Sequence, residues 1–161
     1  MSTLQTRALT FFVVVCGILA IDQASKWLIL EWVDLDARDP VHITSFFSLV
    51  MVWNYGVSFG MLAMPGTWIP YLLKGLALVI SVVLTVLAMR SPHRAERLAF
   101  AVIVGGALGN VIDRVRFGAV ADFLYFHIGD LGWPAFNVAD SAIFLGVAYL
   151  VIRTVFPRRS A

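Results

Sequence analysis

Cysteine is almost missing from this sequence. Cys16 stands alone among 161 residues, which excludes an internal disulfide framework and any cysteine-built zinc site. Histidine is nearly as sparse, and His42, His93 and His127 are too scattered for the paired ligands of a zincin helix. Charge is the third shortage. Asp, Glu, Lys and Arg make up 14% of the chain, where a soluble domain carries about 25%. Apolar residues reach 60% and net charge is only +2, so disorder is excluded as well. A small soluble globule of this composition would expose far too much apolar surface. What remains is an integral membrane protein, with residues 1–161 expected to form one domain.

Four stretches are long and apolar enough for membrane-spanning helices, near 8–30, 70–89, 98–117 and 138–155. About 20 residues at 1.5 Å rise cross a hydrocarbon core of about 30 Å. Charges interrupt each of them: Asp22 and Lys26, then Lys74, then Asp113 with Arg114, then Asp140.

Basic residues set the expected orientation. An even number of spans puts both termini on one side. That side holds Arg7, Arg90, Arg94, Arg97, Arg153, Arg158 and Arg159 against one acid, Glu96. The opposite loops hold Glu31, Asp34, Asp36, Asp39, Asp122 and Asp130, with Arg38 and Arg116. The positive-inside rule then places both termini in the cytoplasm, with the 90–97 loop beside them. Trp27, Trp32, Trp53, Trp68, Trp133, Tyr55, Tyr71 and Tyr125 fall on or near the outer side, and Tyr149 does not. So lopsided an aromatic belt suggests extra structure on the outer surface. The first stretch continues through Asp22 and Lys26 without a small-residue cleavage site, which argues against a cleaved signal peptide. Cys16 follows Val15 and reads as a packed apolar thiol.

Residues 40–73 carry no Asp, Glu or Arg and none of the Lys, yet they do not read as a helix. Asn54-Tyr55-Gly56 and Pro65-Gly66 are turn signals, and the run FFSLVMVW is rich in strand formers. The expectation is a small β-hairpin or sheet, about 40–66, on the outer (periplasmic) face. Thr67 is then a helix cap and Pro70 lies in the first turn. The fold class is an all-α membrane protein of four transmembrane helices with that small β segment.

Depth along the helices groups the polar residues. Asp22 lies about 20 Å along the first helix, and Lys26 is one turn further out on the same face. Asn110, Asp113 and Arg114 fall in the outer half of the third helix, Asn137 and Asp140 at the outer end of the fourth. Asp122 lies in the short segment joining the two. An intramembrane charge costs about 2.5–3.5 kcal/mol on insertion scales and is commonly paired or functional. Asp22 and Lys26 have the i,i+4 spacing of a helix salt bridge. Arg114 has the length to snorkel to lipid phosphate. Gly105 and Gly109 form a GxxxG pair suited to close helix packing. Asn54-Tyr55-Gly56 on its own is a turn.

Asp122 and Asp140 have no basic residue within a turn. One reading makes Asp140 a helix N-cap and Asp122 a loop acid. The other makes them a facing pair in a poorly hydrated site, where both cannot ionise cheaply and one keeps its proton. Such a pair supplies a base that activates water and an acid that polarises a carbonyl, the chemistry of aspartic peptidases.

These residues also carry a family resemblance. The stretches DQASK (22–26), NYGVSFG (54–60), GGALGNVIDR (105–114), VADF (120–123) and FNVAD (136–140) occur in that order. With them the chain resembles bacterial lipoprotein signal peptidase, also called signal peptidase II. Ala121 stands where the family pattern carries valine, a position without chemistry. The resemblance implies a peptidase that cuts a prolipoprotein just before a diacylglyceryl-modified cysteine, without metal or organic cofactor. It implies Asp122 and Asp140 as the catalytic pair, with Asp22, Lys26, Asn54, Gly106, Asn110, Arg114, Asn137 and Ala139 supporting or lining the site. It also implies the bacterial inner membrane as location, membrane lipid as surroundings and inhibition by globomycin. No nucleic-acid partner is expected, and a monomer suffices for a site within one bundle. By depth and motif, Asn54 is placed to hydrogen-bond substrate backbone, Arg114 to hold a carbonyl or a lipid phosphate, and Asn137 to orient Asp140.

Three rivals have sequence-level tests. An ion-coupled transporter also buries charges, but here the inner halves of the helices are apolar. A Ser–Lys peptidase would use Ser25 or Ser58 with Lys26, yet Ser25 adjoins Lys26, and i,i+1 side chains do not face each other. A structural scaffold leaves two unpaired aspartates at one depth unexplained.

Overall fold

The computed structural model describes residues 3–56, 68–129 and 131–156. Helix α1, Thr3–Trp27, runs into a π-helical turn at Leu28–Trp32. Strands β1 (Val41–His42) and β2 (Phe47–Asn54) follow, then α2 (Ile69–Arg90) and α3 (Arg94–Arg116). Strands β3 (Val120–Ile128) and β4 (Leu131–Gly132) precede α4 (Val138–Val155).

All four helices are long and apolar enough to cross a membrane. Their outward faces carry exposed Leu, Val and Phe, such as Leu9 and Phe12 of α1, Val79 and Val82 of α2, and Phe144 and Leu145 of α4. Buried within are Asp22, Lys26, Asn110, Asp113 and Asn137. This apolar outside around a polar inside is what a hydrocarbon solvent selects. Hydroxyls on the helices are satisfied locally: Ser81 Oγ donates to Ala77 O and Thr85 Oγ1 to Ser81 O, each at 2.7 Å.

Helix α3 is the centre, packing against α1, α2 and α4. Its glycines permit this. A Cβ on Gly105 would meet Ile18 Cβ at 2.8 Å, and one on Gly106 would strike the Ala139 carbonyl oxygen. A core of Phe11, Val15, Ala88, Ala101 and Val104 fills the half away from the polar cluster. Beyond the α3 C-cap Phe117 stands Gly118, whose φ of 77° suits glycine there and turns the chain into β3.

The sheet is antiparallel, in the order β1-β2-β3-β4. Its central pair aligns Phe47 with Phe126 and Val52 with Asp122, with an irregularity between Leu49 and Val52. Phe123 packs with Ile29 and Leu35 in one buried cluster, against which Leu49, Leu124 and Val138 also rest, seating the sheet on the chain that leaves α1 and on the start of α4.

The expected sheet exists but is larger than residues 40–66. The segment joining α3 and α4 is no simple connector: it supplies β3, which pairs with β2. The run VADFLYFHI carries the β-branched and aromatic residues that suit a half-buried pleated surface. Arg94, Glu96 and Arg97 lie not in a loop but in the first turn of α3. Pro70 does lie in the first turn of α2, whose N-cap position is Trp68 without a side-chain cap. The proposed cap Thr67, the Pro65-Gly66 turn, Ser58 and the rest of 57–67 lie outside the described residues.

Candidate active site

Lys26 is the hub beneath the site. It is 2% exposed, while Asp22 and Asp113 are fully buried. Its Nζ sits 2.9 Å from Asp22 Oδ2, one turn back on α1, and 2.7 Å from Asp113 Oδ2 on α3. Gln23 Nε2 bridges the same two carboxylates, 3.1 Å from Asp22 Oδ2 and 2.9 Å from Asp113 Oδ1. A third acceptor, Asn110 Oδ1, lies 3.3 Å from Lys26 Nζ. Burying such a cluster is costly unless every lone pair is used, and here they are used to hold backbone. Asp22 Oδ1 accepts the Ala139 N–H at 2.9 Å, and Asp113 Oδ2 accepts the Ala121 N–H at 3.3 Å. Ala121 and Ala139 are both fully buried and immediately precede Asp122 and Asp140.

Asparagine amides hold the two carboxylates above. Asn137 Nδ2 donates to Asp122 Oδ1 at 2.7 Å, and Asn54 Nδ2 to Asp122 Oδ2 at 3.0 Å. Asn110 Nδ2 donates to Asp140 Oδ1 at 2.8 Å, and the Asn137 backbone N–H to Asp140 Oδ2 at 3.3 Å. Asn137 also caps α4: its Oδ1 accepts the Asp140 N–H at 2.9 Å, completing a capping box. Asp140 is therefore the third residue of the helix, and Asn137 is the N-cap. The Asn137 side chain thus reaches the Asp122 carboxylate and the Asp140 backbone N–H, while the Asp140 carboxylate is met by the Asn137 backbone N–H.

Asn54 and Arg114 are engaged within the chain. Asn54 Oδ1 accepts the Gly56 N–H at 3.0 Å. Arg114 Nη2 donates to the Gly56 carbonyl at 2.9 Å and Nη1 to Asn110 O at 3.3 Å. Arg114 Nε is buried with no hydrogen-bond partner among the described residues. Gly106 and Ala139 serve by being small, since α3 and α4 touch there backbone to backbone. Ser25 Oγ donates to Asp22 O at 2.7 Å within its own helix, and so does not face Lys26 as a nucleophile would.

Asp122 and Asp140 line one cavity of about 550 Å³. Asn54 and Ser141 complete its polar part, and Phe126, Trp133, Phe136, Phe144 and Leu145 form an apolar wall. Phe144 and Leu145 are also exposed on the outward face of α4, so the wall continues into the membrane-facing surface. Burial, with the neighbouring Asp140 charge adding to it, pushes the Asp122 carboxyl up to about 7. The two titrate as a pair. Among the described residues, no three His, Cys, Asp or Glu converge as metal ligands.

Sequence reasoning places Asp22, Lys26, Asn110, Asn137, Asp122 and Asp140 at one depth, and the structure joins them in one network. It gives Asp113 a depth but no partner, and gives Gln23 no role. The signal for Gln23 is its position beside Asp22 in the DQASK stretch; that for Asp113 is an intramembrane acid.

A sequence model of the family described as Signal peptidase (SPase) II matches residues 14–156. A protein of Azoarcus sp. (strain BH72) named lipoprotein signal peptidase is 46% identical over 146 residues, covering 89% of this chain and 81% of that protein. One of Francisella tularensis subsp. novicida with the same name is 38% identical over 156 residues, covering 95% and 96%. A solved bacterial membrane enzyme shares the fold with TM-score 0.77 at 24% identity, covering 94% of this chain and 93% of that one.

Proposed function

Because the chain belongs to the signal peptidase II family, and is a multi-pass membrane peptidase, we propose that it is an aspartic endopeptidase acting on diacylglyceryl-modified prolipoproteins. It cuts just before the lipid-modified cysteine and releases the signal peptide, with Asp122 and Asp140 as the catalytic pair. The observation that carries this reading is the placement of both carboxylates on one cavity, each held by amide donors.

The pair shares one proton near neutrality. The ionised carboxylate takes a proton from water as the water oxygen attacks the scissile carbonyl carbon. The protonated partner gives its proton to the carbonyl oxygen, forming a neutral gem-diol. Collapse returns a hydroxyl proton to the pair, the C–N bond breaks, and the leaving nitrogen receives a proton. No metal or organic cofactor is required. Asn137, Asn54 and Asn110 keep the carboxylates aimed, and Lys26 with Asp22 and Asp113 keeps the backbone beneath them in place. Arg114 Nε, which has no partner among the described residues, is a donor for a substrate carbonyl or lipid phosphate, and the second N–H of Asn54 Nδ2 is one for peptide backbone.

The apolar wall suits a substrate anchored by acyl chains. Lipid anchoring holds the scissile bond at the depth of the aspartates and raises its local concentration. In this reading the protein is a monomer of the bacterial inner membrane, with both termini cytoplasmic and the site near the outer leaflet. A globomycin-type inhibitor binds the same cavity.

The test is cleavage of a diacylglyceryl-modified precursor by purified protein in detergent, with wild type, Asp122→Asn and Asp140→Asn and an EDTA arm. We expect cleavage before the modified cysteine, indifference to EDTA, and at least a thousandfold loss in each folded variant. Full activity in either variant overturns the dyad.

A further inference from the structure

The opposite end of the bundle holds a second cavity, of about 480 Å³, between the N-terminal parts of α1 and α3. Arg7 and Thr10 of α1 and Arg94 and Arg97 of α3 line it, above Phe11 and Leu98. From Arg7 to Asp22 is about 22 Å along α1, so this cavity lies at the other membrane interface.

Three arginines border one small space, and among the described residues no acid lines it. The acid within reach on α3, Glu96, is committed elsewhere: it accepts from Arg153 Nε at 2.7 Å and from Ser91 Oγ at 2.6 Å. Neither Arg7 nor Arg94 forms an ion pair among the described residues. Arg97 is held in place, its Nη1 donating to Ser91 O at 3.0 Å and Pro92 O at 3.1 Å. Like charges so gathered repel one another, and an anion seated between them turns that repulsion into attraction. The planar fork of arginine matches a phosphate's oxygens. The floor is apolar, since Phe11 is 2% exposed, and the outward face of α1 below carries exposed Leu9, Phe12 and Val13.

We propose that this cavity is a binding site for a phosphoryl anion, filled in the membrane by the phosphodiester headgroup of an anionic lipid. The acyl chains then lie along the apolar outer face of α1, and the headgroup ties the N-terminal ends of α1 and α3 together. Basic pockets between membrane helices recognise anionic headgroups in this way. The site is independent of the aspartate cavity.

Native mass spectrometry of the purified protein in detergent tests it, with dioleoyl-phosphatidylglycerol, dioleoyl-phosphatidylcholine and inorganic phosphate as probes. We expect phosphatidylglycerol to be retained about tenfold better than phosphatidylcholine, with only weak competition from phosphate. The double variant Arg7→Gln/Arg94→Gln should bring the two lipids to parity while precursor cleavage in detergent stays unchanged. Arg97 is left intact there because it holds Ser91 and Pro92. Should that variant fold poorly, Arg94→Gln alone, at an exposed position, should reduce the preference about threefold. Arg38→Gln/Arg116→Gln, at the other end, should leave it intact. Phosphate binding as tightly as phosphatidylglycerol and displacing it keeps the anion site but makes its occupant a soluble anion, overturning the lipid. Equal retention of both lipids with no phosphate binding, or a preference that survives both glutamine variants, overturns the site itself.

Discussion

Asp22 and Asp113 do the same job on opposite sides of Lys26. Each accepts the backbone N–H of the alanine that immediately precedes one of the two cavity aspartates, Asp22 from Ala139 and Asp113 from Ala121. The ammonium between them lies within 2.9 Å of both. One buried cation thus sets the position of β3 and of the start of α4 together.

Lys26→Met should therefore be severe. It leaves two carboxylates buried with no cation, a change of roughly 3–5 kcal/mol. Thermal unfolding in detergent should show a large fall in midpoint. Adding Asp113→Asn to Lys26→Met should recover part of the loss, because the pair is coupled. Strict additivity of the two changes would mean that Lys26 and Asp113 do not interact.

The raised Asp122 pKa gives a pH dependence with a definite sign. Burial keeps the proton on this carboxyl up to about 7, and the proposed mechanism needs one proton on the pair. Cleavage should be present below that value and fall tenfold per pH unit well above it. A kcat/KM profile that stays flat through pH 9 would contradict the shared proton.

Asn137→Ala separates positioning from packing. The amide at 2.7 Å favours the charged form of Asp122, so its loss should shift the falling limb of the pH profile upward. Loss of the α4 cap should cost about 1 kcal/mol in stability. A stability loss with an unmoved pH limb would reduce Asn137 to a cap.

Glycine substitutions should divide sharply. A Cβ on Gly109 would press into the Asp22 carboxylate, whereas nothing lies within 4 Å of one on Gly17. Gly109→Ala should lose about 1–3 kcal/mol through overpacking and much of the activity with it. Gly17→Ala should be neutral or slightly stabilising. Cleavage assays and unfolding midpoints on both variants check the contrast.

The helices are legible because length and hydropathy alone specify them, although the cap of α4 is Asn137 and not Asp140, the residue the sequence suggested for it. The Asp22–Lys26 pair was legible because i,i+4 spacing fixes neighbours on one helix. Contacts between helices were not, since spacing gives depth but not the direction in which a side chain faces. Asp113 stands beside Arg114 in sequence, yet its cation is Lys26 on α1 and Arg114 turns to the Gly56 carbonyl. Three-residue spacing suggests Asn137 beside Asp140, and its backbone N–H does reach that carboxylate; its side chain goes to Asp122, brought near by the bridge of Leu124 to Phe136. The β2–β3 pairing that brings Asn54 to Asp122 is hidden in the sequence because two helices intervene between the strands.

The placement of Lys26 on the same helix as Asp22 has a consequence for biogenesis. Helix α1 reaches the bilayer with acid and base already matched, so it inserts as a neutral unit rather than as two separate charges of about 2.5–3.5 kcal/mol each. Asp113 of α3 takes its ion pair from another helix, Lys26 of α1, and arrives later in the order of synthesis. Its counter-ion is then already waiting in the membrane. A chain lacking Lys26 should be lost during assembly, with rapid turnover of newly made protein in a pulse-chase, so the order of the helices along the chain doubles as an order of charge neutralisation.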